Sequence, residues 1–540
     1  MPGVNRREFL KTATLTLSAG VLGAATAVKA FQQYFPEANV ETQSNSAAPN
    51  KAIQPGTPRY YFVIFVDGLW PGYIERFQPP NIMRLISEGT YFPNAYVGNL
   101  TGNTIVSHQS MNAGLYPKRW GIVDYGWRNT YDDPALAKVV PKNKAIDPGN
   151  YDLIVKEDLA GKIRRQYEAR LPSFARWVKT RYPDALTAGV ASKRYLATYL
   201  THMDIRLMGR YTENNTIEPY YQLGKAEGLL NDLVIDRKDE LKKLDDWVME
   251  AATRIVSNLM PRYMLINLPL VDLNAHVNGG PETLDQMYPI VMNADRLIGE
   301  FVETLKTLGI YDKSVIVITA DHGFATGHEH IFPQKVKAEL EAIGIKVDLA
   351  RGGEGYMTFW LGDPDFKDNQ KKRKVAEYLA SVLPNADAIF YKATFDVGGR
   401  EVMQYVPVKD SGSPVYVKLL NTALAPQGPD VVAFFGDYTN AYDSETIVAG
   451  HGGAGWMVQN IPIIIRGPGV PRGLVVETMP YSGPRIVDIA PTLVALTDPS
   501  DEYIGEFDGR PIFSAGRQQT STSTSLASAS AAKLLERERL

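Results

Sequence analysis

The chain has 540 residues, 44% hydrophobic and 22% charged, an ordinary balance for a globular protein able to bury a large core. A formal net charge of −3 shows no basic excess, so no nucleic-acid partner is expected. Cysteine is absent, which excludes thiol catalysis, Cys-ligated zinc and disulfides; any metal site must be built from His, Asp and Glu.

From the amino terminus, "NRREFLKTATLTLSAGVLGAATAVKA" pairs Arg6 with Arg7, then Phe9-Leu10-Lys11, then a modestly apolar stretch ending in small residues. This reads as a twin-arginine signal over 1–30, cleaved after Ala27 or Ala30. It implies passage through the twin-arginine translocase to a periplasmic or secreted destination. The competing reading is a retained anchor, but the stretch falls short of the ~20 apolar residues a span needs. No later stretch qualifies, so no membrane span is expected in the mature protein. Residues 31–57 form a polar linker, and 514–540 a Ser/Thr/Ala-biased tail expected to be disordered.

Between them, over 58–513, apolar runs alternate with amphipathic helical stretches. The runs are "YYFVIFVDG" (60–68), "ALTAGVAS" (185–192), "YMLINLPLVD" (263–272), "SVIVITAD" (314–321) and "IPIIIRGPG" (461–469). Continuous Val/Ile runs flanked by helices predict an α/β fold, a mostly parallel sheet with helices on both faces. The region 324–450 mixes aromatic strands with loops and is expected to form a cap or insertion beside that sheet.

In such a fold, ligands bind beyond the carboxyl ends of the strands. There the sequence delivers Asp67, then Asp272 with His276 four residues on, then Asp321-His322. His451 stands in the glycine-rich "VAGHGGAG" before the last run. An Asp after a strand is most often a turn former or helix N-cap. Six such residues on one edge are another matter, in a chain with only seven histidines. Carboxylates placed that close repel one another unless a cation lies among them. Six nitrogen and oxygen donors suit two divalent ions, most naturally zinc. A nucleophile is then wanted. Thr104, at a loop-to-helix junction before Ser107, His108 and Ser110, is the candidate, with an N-cap role as the plainer reading.

Taken in order, "VDG", "NTIVSHQSMNAGLYP", "WGI", "DLNAH", "TADHGF" and "HGG" with "IPIIIRGPG" resemble the alkaline phosphatase superfamily. The match is to its type I phosphodiesterase/nucleotide pyrophosphatase branch and the related phosphonoacetate hydrolases, spread over 60–495. The resemblance implies an alkaline-phosphatase-like fold and two Zn2+, other divalent ions being possible, acting on a small phosphorylated substrate. Asp272, His276 and His451 would hold one ion; Asp67, Thr104, Asp321 and His322 the other. Thr104 would form a covalent phospho-enzyme. The implied function is an exported phosphodiesterase/nucleotide pyrophosphatase; alternatives are a phosphomonoesterase or a phosphonoacetate-type C–P hydrolase. A non-catalytic homologue is disfavoured because all seven positions are filled. A sulfatase is disfavoured because its Cys/Ser nucleophile motif is missing.

The sequence departs from the family pattern around the substrate. Where the phosphodiesterases place a phosphoryl-binding Asn, ungapped alignment puts Tyr125, so Tyr125, Arg128 or Asn129 would supply that donor. Ala113-Gly114 replaces the usual Thr-Gly pair, and Trp120 the usual His. Lys193 and Arg194 follow a strand much as a substrate-binding Lys does in the phosphonoacetate hydrolases. His108 is expected to pack behind the nucleophile, and His328 and His330 to lie at the surface.

Overall fold

The structure, a computed structural model, describes residues 60–193, 195–222 and 228–513. The expected signal, linker and tail, and Arg194, lie outside the described residues.

Strand β1 (Tyr60–Val66) is aromatic and β-branched throughout, and all but its first residue is buried. Its alternate side chains meet two different helical layers. The Tyr61 ring packs edge-on against Phe174, with ring centres 4.9 Å apart, and the Phe62 ring against Phe301 at 5.4 Å. Along the chain follow α1 (Pro80–Glu88), β2 (Thr90–Tyr96), α2 (Thr104–Ala113), α3 (Phe174–Arg181), β3 (Thr187–Ala191), β4 (Ile205–Tyr211) and β5 (Thr216–Gln222). Next are α4 (Glu240–Leu259), β6 (Tyr263–Leu268), α5 (Leu270–Asn278), α6 (Leu284–Thr307) and β7 (Ser314–Thr319). A second unit then builds α7 (Pro333–Ala342), β8 (Val347–Gly353), β9 (Tyr356–Leu361), α8 (Asn369–Val382), β10 (Ala386–Val397), β11 (Arg400–Lys409), α9 (Pro414–Thr422) and β12 (Val431–Phe435). The chain returns to the first sheet as β13 (Asn460–Arg466) and ends on α10 (Ile489–Thr497).

The central sheet has ten strands, in the order 474–475, β2, β13, β7, β1, β6, β3, β4, β5, 235–236. Its middle, β7-β1-β6-β3-β4, is wholly parallel. One helical layer joins α1, α4 and α6 and the other joins α2, α3 and α10, so both faces are covered. The second sheet, β8-β9-β12-β10-β11, is antiparallel throughout and carries its own apolar cores.

Several features were not read from the sequence, among them strands β4 and β5, which extend the sheet beyond β3. β13 runs antiparallel to β7, pairing Thr319 with Ile463 and Ile316 with Arg466. That reversal puts the start of β13 beside the end of β7, and so brings His451 to the edge that Asp321 occupies. Strand β2 was also missed; Pro93 sits inside it, where the pairing with β13 shifts register between Phe92 and Ala95. Among the described residues, no helix is long and apolar enough to cross a membrane.

Candidate metal centre

Asp67 follows β1, and Gly68 after it adopts φ +74°, a left-handed turn suited to glycine. The turn aims the Gly68 N–H at Asp321 Oδ1, 3.2 Å away, and so joins the ends of β1 and β7. Beyond β7, residues 325–326 pair antiparallel with 449–450. That short ladder seats the His451 ring flat against His322, with ring centres 3.4 Å apart and planes within 5°. Asp272 and His276 lie one turn apart on α5, with Asp272 Oδ1 3.3 Å from His276 Nε2.

Each of the three histidines spends Nδ1 on a backbone carbonyl. His276 donates to Ala449 O at 2.8 Å, His451 to Gly102 O at 3.0 Å and His322 to Gly323 O at 3.1 Å. This fixes the ring orientation and turns all three Nε2 atoms inward, as in metal-ligating histidines. His322 Nε2 lies 3.4 Å from Asp67 Oδ1, 3.6 Å from Asp272 Oδ1 and 3.4 Å from Asp321 Oδ2. All four of these buried atoms lack a hydrogen-bond partner. An orphaned buried polar atom costs on the order of 1–3 kcal/mol, more when charged. Two sets of donor atoms lie within 4.8 Å of one another and could hold a metal ion: Asp272, His276 and His451, and Asp67, Asp272 and His322. Such nitrogen and oxygen donors fit divalent cations.

Lys193 bridges the carboxylates, with Nζ 2.8 Å from Asp67 Oδ2 and 2.7 Å from Asp272 Oδ2. Burial would raise the Asp67 carboxyl, but Lys193 and His322 hold it well below the usual range. Asp272 is likewise held down against burial by Lys193 and His276. Asp321, further from the ammonium, is pushed up to about 7 by burial and by Asp67. Burial opposes charge on His322, yet Asp321, Asp67 and Asp272 raise it to about 9. Three carboxylates thus share one lysine, and they draw His322 toward its protonated form.

Thr104 is the first residue of α2, but it is not the cap. Asn103 is, its side chain accepting the Val106 N–H at 3.2 Å. The Thr104 hydroxyl is therefore free of the helix end and accepts from Lys193 Nζ at 3.2 Å. Behind it, His108 donates to Thr104 O at 2.8 Å and stacks on Phe65. A cavity of about 530 Å3 opens over this group, lined by Thr104, Tyr125, Lys193, Asp272, His276 and His451 among others.

The substrate candidates divide. Tyr125 lines the cavity, its hydroxyl 3.1 Å from that of Tyr195. Arg128 and Asn129 do not, which corrects their reading as phosphoryl donors. A short pairing of 127–128 with 145–146 turns both inward. Arg128, 1% exposed, forks onto Asp430 at 2.8 and 3.1 Å, and Asn129 donates to Val140 O at 2.7 Å. His328 and His330 are exposed. The sequence reading also missed Arg351, Tyr356 and Tyr442, cavity residues contributed by the 324–450 region, where no local motif marks them.

The fold is that of alkaline-phosphatase-like α/β proteins. Wild-type alkaline phosphatase PafA superposes with a TM-score of 0.62 at 14% identity, over 86% of this chain and 99% of that one. Murine ectonucleotide pyrophosphatase/phosphodiesterase 5 gives 0.51 at 14% identity, over 82% and 95%. A sequence model of the type I phosphodiesterase / nucleotide pyrophosphatase family matches residues 61–399, and the chain belongs to that family. It is 24% identical over 327 residues to an uncharacterized pyrophosphatase/phosphodiesterase of Schizosaccharomyces pombe, covering 60% of this chain and 56% of that protein. To the human bis(5'-adenosyl)-triphosphatase ENPP4 it is 22% identical over 266 residues, covering 49% and 47%. The chain spans about half the length of these curated relatives.

Proposed function

We propose that this protein hydrolyses phosphate esters, phosphodiesters and nucleotide pyrophosphates foremost, with Thr104 as nucleophile. Two zinc-class ions would be held there, one by Asp272, His276 and His451, the other by Asp67, Asp321 and His322 beside Thr104. When bound, such ions supply Lewis-acid polarisation of the phosphoryl group and favour the deprotonated form of a neighbouring hydroxyl. The chain supplies the rest. Lys193, kept an ammonium by Asp272 and Asp67 despite its burial, donates to Thr104 Oγ1 and so stabilises the alkoxide. The start of α2 adds the positive end of a helix dipole. As the Oγ1–P bond forms, the P–O bond to the leaving group breaks; water then cleaves the phosphothreonine and restores the hydroxyl. Family membership supports the phosphodiester class, and the name of the ENPP4 relative supports nucleotide polyphosphates within it.

The observation that carries this reading is the uncapped Thr104 hydroxyl, 3.2 Å from Lys193 at the base of the cavity. Thr104→Ala should lower turnover about a thousandfold, on the order of 4 kcal/mol in the barrier, while Thr104→Ser keeps measurable activity. Acid-quenched wild-type reactions should carry labelled phosphate on the peptide containing Thr104. Label on another residue, or near-normal turnover by Thr104→Ala, would end the covalent mechanism. Rates on an aryl phosphodiester, a phosphomonoester and phosphonoacetate should rank in that order.

Export by the twin-arginine route is proposed on Arg6 and Arg7. Replacing both with Lys should retain the protein in the cytoplasm, and normal export of that variant would refute it.

A further inference from the structure

Two cations that line the cavity differ in what they have left to offer. Lys193 is committed to Asp67, Asp272 and Thr104. Arg351, on β8, is not. Among the described residues its guanidinium has one ion pair, a loose 3.5 Å approach to Asp147, and 37% of its side chain is exposed. It also lies 5.7 Å from the centre of the Tyr125 ring. A guanidinium presents five N–H donors, so most are free for something in the cavity.

Its position is tightly held. The strand that carries it ends on the His451 loop, where the Glu354 N–H donates to His451 O at 2.9 Å. A Cβ on Gly353 would stand 2.5 Å from that same oxygen, so the approach needs glycine. Across the sheet Arg351 pairs with Thr358, whose hydroxyl donates to Asp124 Oδ2 at 2.8 Å. Asp124 Oδ1 in turn accepts from Asn103, the cap of the nucleophile's helix, at 3.2 Å. Arg351 is thereby tied both to a metal-ligand loop and to the start of α2. A surface arginine would have no reason to be so placed.

We infer that Arg351 binds a second anionic group of the substrate, beyond the phosphoryl attacked at Thr104. Such a group is a further phosphate, as in a diphosphate linkage, or a carboxylate, as in a phosphonocarboxylate. Either oxyanion matches the planar fork in a bidentate way. The inference rests on the hydrolase reading above and narrows its substrate class. If Arg351 served only to hold the Asp147 loop, its loss would weaken all substrates alike.

The test compares kcat/KM for ATP and for phosphonoacetate, each divided by that for bis(4-nitrophenyl) phosphate, which has one anionic group. These ratios are insensitive to the fraction of molecules folded. Arg351→Ala should lower one or both by about thirtyfold, mainly through KM, and Arg351→Lys should recover part of the loss. A fall confined to ATP identifies phosphate as the bound group; one confined to phosphonoacetate identifies carboxylate. Ratios unchanged within threefold would overturn the inference. A binding arm stands apart from turnover: on Thr104→Ala protein, adding Arg351→Ala should weaken inorganic pyrophosphate or malonate at least tenfold more than orthophosphate. Equal weakening, or none, refutes it. Should the wild type hydrolyse nothing, the hydrolase reading falls and this arm alone decides the role of Arg351.

Discussion

Arg128 and Lys193 are both buried cations set against aspartates, one beneath the second sheet and one at the carboxyl edge of the first. The Arg128 guanidinium and the carboxylate it meets are fully paired. Its two Nη atoms meet both oxygens of Asp430, Nη2 also reaches Leu361 O at 2.6 Å, and Asp430 takes the Leu361 N–H at 2.8 Å. The Phe366 ring closes the guanidinium face, 4.2 Å away. Around Lys193, Asp67 Oδ1, Asp272 Oδ1, Asp321 Oδ2 and His322 Nε2 are left without partners. The first cluster is complete as the chain folds, and the second is built for something the chain does not supply. Burial and charge do not distinguish a structural ion pair from a site; unsatisfied atoms do.

The largest effect should come from Asp272, which belongs to both donor groups, its Oδ1 lying 3.3, 3.6 and 3.7 Å from His276, His322 and His451 and its Oδ2 holding Lys193. Asp272→Ala should lower turnover ~10,000-fold or more, about 5.5 kcal/mol, with bound metal falling together with it by elemental analysis. Full metal content with near wild-type turnover would make Asp272 a structural partner of Lys193, as Asp430 is of Arg128.

How far this contrast was legible in the sequence depends on the residue. Four of the middle strands, β7, β1, β6 and β3, could be read because their apolar runs are buried on both faces, and Asp67, Asp272 and Asp321 because each stands just past such a run. His451 could be assigned to that edge, but not the route by which it gets there, since nothing in "VAGHGGAG" says that the strand after it runs backwards. Arg128 and Asn129 were misread for a definite reason. Polar residues downstream of a nucleophile look like substrate donors, and only the 127–128 pairing and a partner 302 residues away in Asp430 make Arg128 a core residue. Arg351 was invisible because its meaning depends on the second sheet docking over the first.

Arg128 supplies the next test. Arg128→Ala leaves Asp430 as an uncompensated buried carboxylate, which should cost about 3–5 kcal/mol of stability by denaturant unfolding. Replacing both partners with apolar side chains of similar volume should recover most of it. Metal content and turnover per folded molecule should stay as in the wild type. A raised KM with unchanged stability would return Arg128 to the substrate site.

Asp245 lies between the two cases, and its effect should build up gradually, by about 1 kcal/mol per pH unit. It is fully buried; Oδ1 accepts the Leu270 N–H at 2.9 Å, at the start of the helix that carries Asp272, while Oδ2 has no partner. Burial, with Asp246 and Asp67 nearby, outweighs that hydrogen bond and pushes the carboxyl up to about 8 from 3.8. The folded chain therefore holds a proton that the unfolded chain releases. Its contribution to stability is full below pH 3.8, declines between there and 8, and is lost above 8. Asn mimics the protonated acid at every pH. Asp245→Asn should thus gain stability over the wild type progressively from pH 5 to 8 and level off beyond, as followed by urea unfolding at four pH values. A pH-independent difference would mean that Asp245 is already ionised in the folded protein. Its lone oxygen would then need a cation, as the oxygens around Lys193 do, and not the proton that now distinguishes it from them.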